Sequence, residues 1–488
     1  MQSTAPTQPK NIRVPWRVVA SCAIGSVFEY YDFFIYGPLA VLVFPHVFFP
    51  ASLGAAKTLL AMGTFVVGFA ARPIGGIVFG HWGDRIGRKP MLVATFSITG
   101  VATFAVSFLP TYAQIGIAAP ILLTVLRIVQ GFGLGGEWSG AAMLAAEHSG
   151  AGNRGFAGSL VQAGAPVGVI TAMLAVAMVS GWLGNHGLIQ WGWRLPFFAS
   201  FVLIVIGLFL RMRVEESPEF AAVQSRKAMP AFPVVAALQR APWRILCAIA
   251  IHTADVTIAM VLGVFVLGYA TNVLHFSPTI FLIALISGSV ANLIVAPIAG
   301  RWTDVVGAST VLLTGCALMA LWAFPIFSLI HNFGIVGVFC AIIGGQIIIS
   351  IIFSPLAAYF RELFAPEIRY TASSIGFQVA TILGAASPLL AQLLQNAAHG
   401  ATWPISLYFV ALALVAGVCV LTVRPRLKIA PNRNPGCTPL VEHSTPASSG
   451  AGSIASIDGR ERGVAHTAPD RGFLRGSPAQ DDLSEDGE

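Results

Sequence analysis

Apolar residues in this chain neither alternate nor keep to one helical face. They come in continuous runs, such as VVASCAIGSV at 18–27 and GPLAVLVF at 37–44, with short polar breaks between runs. About 20 consecutive apolar residues span a bilayer as a helix. On that basis the sequence predicts twelve spans, at about 18–44, 57–80, 90–110, 115–146, 156–180, 192–211, 244–272, 279–299, 309–330, 334–360, 371–397 and 403–423. A transmembrane β-barrel is excluded, because its strands need alternation. The predicted fold class is an all-α polytopic membrane protein. Its twelve transmembrane helices form two pseudo-symmetric six-helix bundles.

Composition agrees. Hydrophobic residues make up 56% and charged residues 10%, with mean hydropathy +0.77. A soluble globular chain carries nearer a quarter charged residues. The net charge of +7 could suggest nucleic acid, but its placement follows the excess of Lys and Arg on cytoplasmic loops. With residues 1–17 inside, the inside connections collect Arg85, Arg88, Lys89, Arg154, Arg211, Arg213, Arg301, Arg361 and Arg369, among others. Only Lys57 and Arg194 fall outside. Both termini are therefore expected in the cytoplasm. The six cysteines show no metal or disulfide spacing. The polar, basic N-terminus has no cleavable apolar region, so the first helix is expected to be retained.

The connection at 212–243 divides the spans six and six. It predicts bundles at 18–211 and 244–429 joined by a cytoplasmic linker. Within the linker, Ser217, Pro218 and Glu219 in VEESPEF carry a helix-start signature. Residues 430–488 are rich in Pro, Gly and Ser and are expected to be disordered.

The halves repeat. GHWGDRIGRKP at 80–90 aligns with GRWTDVVGAST at 300–310, matching Asp84 with Asp304. Glu147 precedes Arg154 by seven residues, as Glu362 precedes Arg369. Such a repeat is a transporter architecture with its substrate site near the midplane. Gly80, Gly83 and Gly87 suit a tight turn. Asp84 can accept from a neighbouring helix N-terminus, and Arg85, Arg88 and Lys89 would lie near anionic headgroups. The bland alternative is a plain basic anchor.

Six charges, Glu29, Asp32, Arg72, Arg127, Glu137 and Asp255, fall inside predicted spans. Unpaired, they would cost on the order of 15 kcal/mol together, so they must pair, face water or lose charge. Glu29 and Asp32 share a helical face in FEYYDFFIY, and Gln130 shares one with Arg127. A carboxylate beside Arg favours its charged form, and one cut off from Arg in a dry site favours its neutral form. Repairing could thus load and release a proton. Asp32 is the first candidate and Glu29 the second, against the alternative of a static ion pair. Arg72 could pair with Glu137 or Glu29. With Glu147, Arg154, Asp304, Glu362 and Arg369, these would make an inner charge cluster. His252 and Asp255 lie three apart on span 7. Tyr31, Tyr36, Gln130, Gln162, Gln346 and Gln378 are further cavity candidates, and Pro166 is expected to kink span 5.

GHWGDRIGRK resembles the loop between helices 2 and 3 of the major facilitator superfamily, and LRIVQGFGLGGEW resembles its Arg–Gln–Gly helix motif. FEYYDFFIYG, QGFGLGGEWSGAAMLAAE, WGWRLPFFAS and RVEESPEF resemble the metabolite:proton symporter branch, which includes proline/betaine, α-ketoglutarate, citrate and shikimate carriers. The resemblance implies proton-coupled symport of an organic acid or a zwitterion by a monomer, with no cofactor beyond the proton gradient and no enzyme activity. It pairs an acid of helix 1 with Arg127. It makes the GDRIGRK loop a latch of the outward-open state, asymmetric because the second copy lacks the basic residues. Efflux and membrane sensing are the alternatives; the efflux motif of span 5 is incomplete, since Ala165 separates its Gly and Pro.

Overall fold

A computed structural model describes residues 14–54, 56–150, 152–214, 216, 232–272 and 274–423. Its twelve helices of membrane-crossing length are α1 (Trp16–Ala40), α2 (Ala56–Ile86), α3 (Arg88–Val106), α4 (Ala118–His148), α5 (Arg154–Gly184) and α6 (Leu188–Met212), then α7 (Pro242–Ala270), α8 (Ile280–Val306), α9 (Ala308–Asn332), α10 (Gly334–Leu363), α11 (Arg369–Ala397) and α12 (Trp403–Thr422). Each carries enough apolar length to cross hydrocarbon. A short helix, Pro233–Arg240, precedes α7. The expected helix start at Ser217 and the segment 430–488 lie outside the described residues.

Large apolar side chains stand exposed on the outer faces, among them Val66, Ile74, Val202, Ile294 and Leu414. In water such a surface would aggregate; here it faces lipid. The interior is correspondingly rich in small and polar groups. Helices α2 and α4 touch backbone to backbone: a Cβ at Gly131 would lie 1.9 Å from the Gly68 carbonyl oxygen, and one at Gly75 1.8 Å from that of Phe132. Small residues permit this approach between membrane helices. The contact also sets the spacing of Arg72 on α2 and Arg127 on α4. Gly131→Val forces these backbones apart, at a cost of about 3 kcal/mol or more. The expected outcome is a lower yield of monodisperse protein and a lower melting temperature in detergent, whereas Gly37→Ala, which meets open space, leaves both unchanged.

Several helices are interrupted where function gathers. Helix α4 turns at Gly135 and Gly136, between segments ending at Leu134 and starting at Glu137. Helix α5 breaks at Ala163, three residues before Pro166, which lacks an N–H and crowds the preceding turn. The two bundles meet along two symmetric seams, α2 with α11 and α5 with α8.

Helices α2 and α8 run on to Ile86 and Val306, past the predicted ends at 80 and 299. Gly80 and Gly83 are therefore helical rather than part of the turn. Their missing Cβ admits α11 instead: a Cβ at Gly83 would strike the Tyr370 ring at 2.0 Å, and one at Gly80 would meet Thr371 Cα at 2.9 Å. Gly87 alone makes the turn of this loop, with φ +128°.

Candidate functional site

Asp84, at the end of α2, accepts from the first amides of α11. Tyr370 N donates at 3.1 Å, Thr371 N at 2.8 Å and Thr371 Oγ1 at 2.7 Å. Asp304, its repeat partner on α8, accepts from Gly155 N at 2.7 Å and Phe156 N at 2.9 Å, at the start of α5. Each carboxylate thus satisfies amides that a helix leaves unpaired at its N-terminus. The basic residues differ between the copies. Arg88 is buried on Glu147 rather than set among headgroups, and Glu147 also holds Arg369 at 2.6 Å. In the second copy Ala308 replaces Arg88, and Glu362 is exposed near Arg361 and Arg154. Arg85 stays exposed, 5.6 Å over the Trp82 ring. Lys89 N and Arg88 N both donate to Glu216, at 3.1 Å each, capping α3.

The α4 turn is sealed from across the seam. Tyr370 Oη donates to the Gly136 carbonyl at 2.6 Å, and Gln378 Nε2 donates to that of Gly135 at 2.8 Å. The Gly136 carbonyl otherwise has only a long bond from Gly140 N at 3.4 Å. Gln378 is therefore a bridge between bundles, off the central cavity.

Deeper in the first bundle, Asp32 Oδ2 lies 3.3 Å from Arg127 Nη1, and Thr103 Oγ1 donates to Asp32 Oδ1 at 3.1 Å. Gln130 Oε1 accepts from the same Arg127 nitrogen, and Gln130 Nε2 donates to Thr103 at 2.5 Å, which closes a ring of four side chains. The Arg127 guanidinium stacks 3.1 Å over Tyr36, whose hydroxyl is 2.5 Å from Thr64 Oγ1. Tyr36 and Gln130 thus serve this ring, and Tyr31 is bound to the Pro196 carbonyl at 2.8 Å. None of the three lines the central cavity.

One helical turn from Asp32, Glu29 holds Arg72 Nη1 at 3.0 Å. Of the two pairings open to Arg72, the structure has the one with Glu29. Glu137 is instead held by Arg211, which bonds the second Glu137 oxygen at 3.0 Å and the Leu92 carbonyl at 2.8 Å; Thr95 adds a bond at 3.2 Å. The expected inner cluster is therefore several separate sets. Arg211 escaped the sequence reading because it ends an apolar run and counts there as a loop charge.

Between the bundles lies a cavity of about 190 Å³, lined by Glu29, Tyr30, Phe33, Phe69 and Arg72 from one half and by His252, Asp255, Asn292, Gln346, Phe353 and Phe377 from the other, with Gln162 on α5. At one side three rings stack: Phe377 lies 3.9 Å from Trp138 and 4.0 Å from His252, at interplanar angles of 13° and 20°. Trp138 and Phe377 come from opposite halves, so this stack joins the bundles. Among the described residues, no group of three or more His, Cys, Asp or Glu could hold a metal ion.

The description "Sugar (and other) transporter" matches residues 18–253, and "Major Facilitator Superfamily" matches residues 245–457. The chain is 37% identical to the inner membrane metabolite transport protein YhjE of Escherichia coli, over 86% of this chain and 98% of that one. It is 36% identical to the shikimate transporter of the same organism, over 82% and 92%. It is 31% identical to its proline/betaine transporter, over 84% and 83%. Among solved structures, the proton:xylose symporter XylE superposes with a TM-score of 0.65 at 18% identity, covering 83% of this chain and 94% of that one; this shows the shared fold.

Proposed function

Because this chain belongs to the major facilitator superfamily, within its metabolite:proton symporter family, and is a multi-pass membrane transporter of metabolites, we propose that it couples uptake of a small polar metabolite to proton entry by alternating access. The substrate class is an organic acid or a zwitterion. The termini are cytoplasmic in a bacterial inner membrane, and the working unit is a monomer.

One observation carries this reading. A buried carboxylate, Asp32, is held by Arg127 and Thr103 one helical turn from Glu29 and Arg72 in the cavity wall. A carboxylate loses its preference for the charged form when a paired cation leaves it in a dry site. Arg127 already has a second acceptor in Gln130. A small shift of α1 against α4 therefore moves Arg127 between partners and lets Asp32 take up or release a proton. Arg72 offers its remaining N–H groups to a substrate carboxylate. Binding there pulls on Glu29, and through α1 on Asp32. Glu29 is the alternative carrier, since it faces the cavity directly. The Asp84 and Asp304 contacts hold the cytoplasmic end shut in the state observed.

Relatives named for shikimate and for proline and betaine fit both substrate classes. The test adds organic acids, betaines and amino acids one at a time to proteoliposomes containing a pH-sensitive dye. Acidification of the lumen on adding a transported compound is expected. Uptake of a compound with no proton movement would leave a uniporter.

A further inference from the structure

The cavity wall formed by α5 and α7 carries polar groups that nothing among the described residues satisfies. Gln162 gives its Oε1 to Trp138 Nε1 at 3.0 Å, which leaves Nε2 without a partner. The Asp255 Oδ1 oxygen has none either, and no hydrogen bond reaches either ring nitrogen of His252. His252 Nδ1 is 3.4 Å from Asp255 Oδ2, beyond an ordinary hydrogen bond. All three residues line the cavity and are only 2–4% exposed. Buried polar groups are nearly always paired, and leaving one unpaired costs about 1–3 kcal/mol. Their geometry is also fixed, Gln162 by Trp138 and His252 by its stack on Phe377.

We propose that Gln162, His252 and Asp255 form a subsite for a hydroxyl group of the transported molecule, which makes the substrate a hydroxylated carboxylic acid. The inference rests on the cavity being the substrate site of an acid transporter.

The three unpaired groups select the ligand by elimination. A carboxylate here would meet Asp255 and be repelled. An ammonium would suit Asp255 but leave the Gln162 Nε2 donor facing a cation. A hydroxyl donates to Asp255 Oδ1 and accepts from Gln162 or from a ring N–H of His252. The two cavity walls then have distinct tasks. Arg72, on the α2 side, takes the carboxylate, and the α7 side takes hydroxyls. Asn292 and Gln346, bonded to each other at 3.0 Å, continue the neutral polar surface on that second side. A site that hydrogen-bonds a substrate hydroxyl rejects the analogue without it far more strongly than an apolar pocket rejects a missing methylene.

The test is equilibrium binding to the full chain in nanodiscs, without a proton gradient, using matched probes: malate against succinate, gluconate against hexanoate, lactate against propionate, and alanine and glycine betaine as ammonium probes. At least one hydroxylated acid is expected to bind at least tenfold more tightly than its deoxy partner. Asp255→Ala and Gln162→Leu should erase that margin, while the isosteric Asp255→Asn, which keeps an acceptor, should retain most of it. If a variant does not fold, the wild-type margin decides alone. Equal binding within every pair overturns the subsite and leaves proton-coupled acid uptake standing. Preference for the ammonium probes, lost in Asp255→Asn, assigns the subsite to a cation and overturns the hydroxyl. If no acid binds, both the subsite and the acid reading fall.

Discussion

Asp84→Ala is expected to give a folded protein whose cytoplasmic end no longer stays shut, with uptake reduced at least tenfold. Three hydrogen bonds from α11 end on this one carboxylate, which is 3% exposed. Hydrogen bonds to a charged group contribute about 1.5–3 kcal/mol each. Even after water replaces part of them in the open state, a loss of about 4 kcal/mol shifts the closed-to-open ratio by roughly a thousandfold. The Glu147–Arg369 pair and the Asp304 contacts remain, so the two halves should still assemble. Asp304→Ala should do less, because Asp304 is only half-buried and loses two bonds. The readout is a cysteine placed at Ser374, a buried α11 residue that packs at Gly76 and Gly80 of α2, in a background freed of native cysteines. A membrane-impermeant maleimide added from the cytoplasmic side should label it slowly in the parent and quickly in Asp84→Ala. Equal labelling would show that these bonds do not hold the gate.

Much of this was legible in the sequence because it is local. Hydropathy places twelve helices, since crossing hydrocarbon depends on each segment's own composition. The chemistry of Asp84 was legible too: an acid beside a helix start seeks free amides. Which helix supplies them depends on how two bundles dock, and nothing near residue 84 encodes that. Partners across helices were legible only as alternatives. Glu29 and Glu137 were both open to Arg72, and the choice is made by rotation and tilt, which bring Arg211 of α6 to Glu137. The same limit explains Tyr31, Tyr36, Gln130 and Gln378. A polar residue in a membrane helix announces that it needs a partner but not whether the partner is protein or cargo. Gln162, His252, Asp255 and Gln346 do reach the cavity.

Asp32→Asn is expected to abolish accumulation against a gradient while sparing exchange. The amide keeps the shape of the side chain; its one oxygen can still accept from Arg127 and its NH2 can donate to the Thr103 hydroxyl oxygen, but it cannot cycle a proton. Removing one partner of a buried ion pair costs about 3–5 kcal/mol. Here Gln130 and the Tyr36 ring continue to hold the Arg127 guanidinium, so the variant should fold. The cavity-lining Glu29 and Arg72 are untouched, so counterflow, which needs no net proton movement, should continue at a measurable rate. Glu29→Gln should instead weaken substrate binding while leaving some coupled accumulation. If Glu29 carries the proton, the two phenotypes exchange places.

The most direct measurement is the steady-state ratio of internal to external substrate in proteoliposomes under an inward proton gradient, for parent and Asp32→Asn side by side. The parent should concentrate substrate well above a ratio of one, and Asp32→Asn should stop at one while still exchanging label. An Asp32→Asn ratio equal to the parent's would contradict the assignment of Asp32 as the proton site.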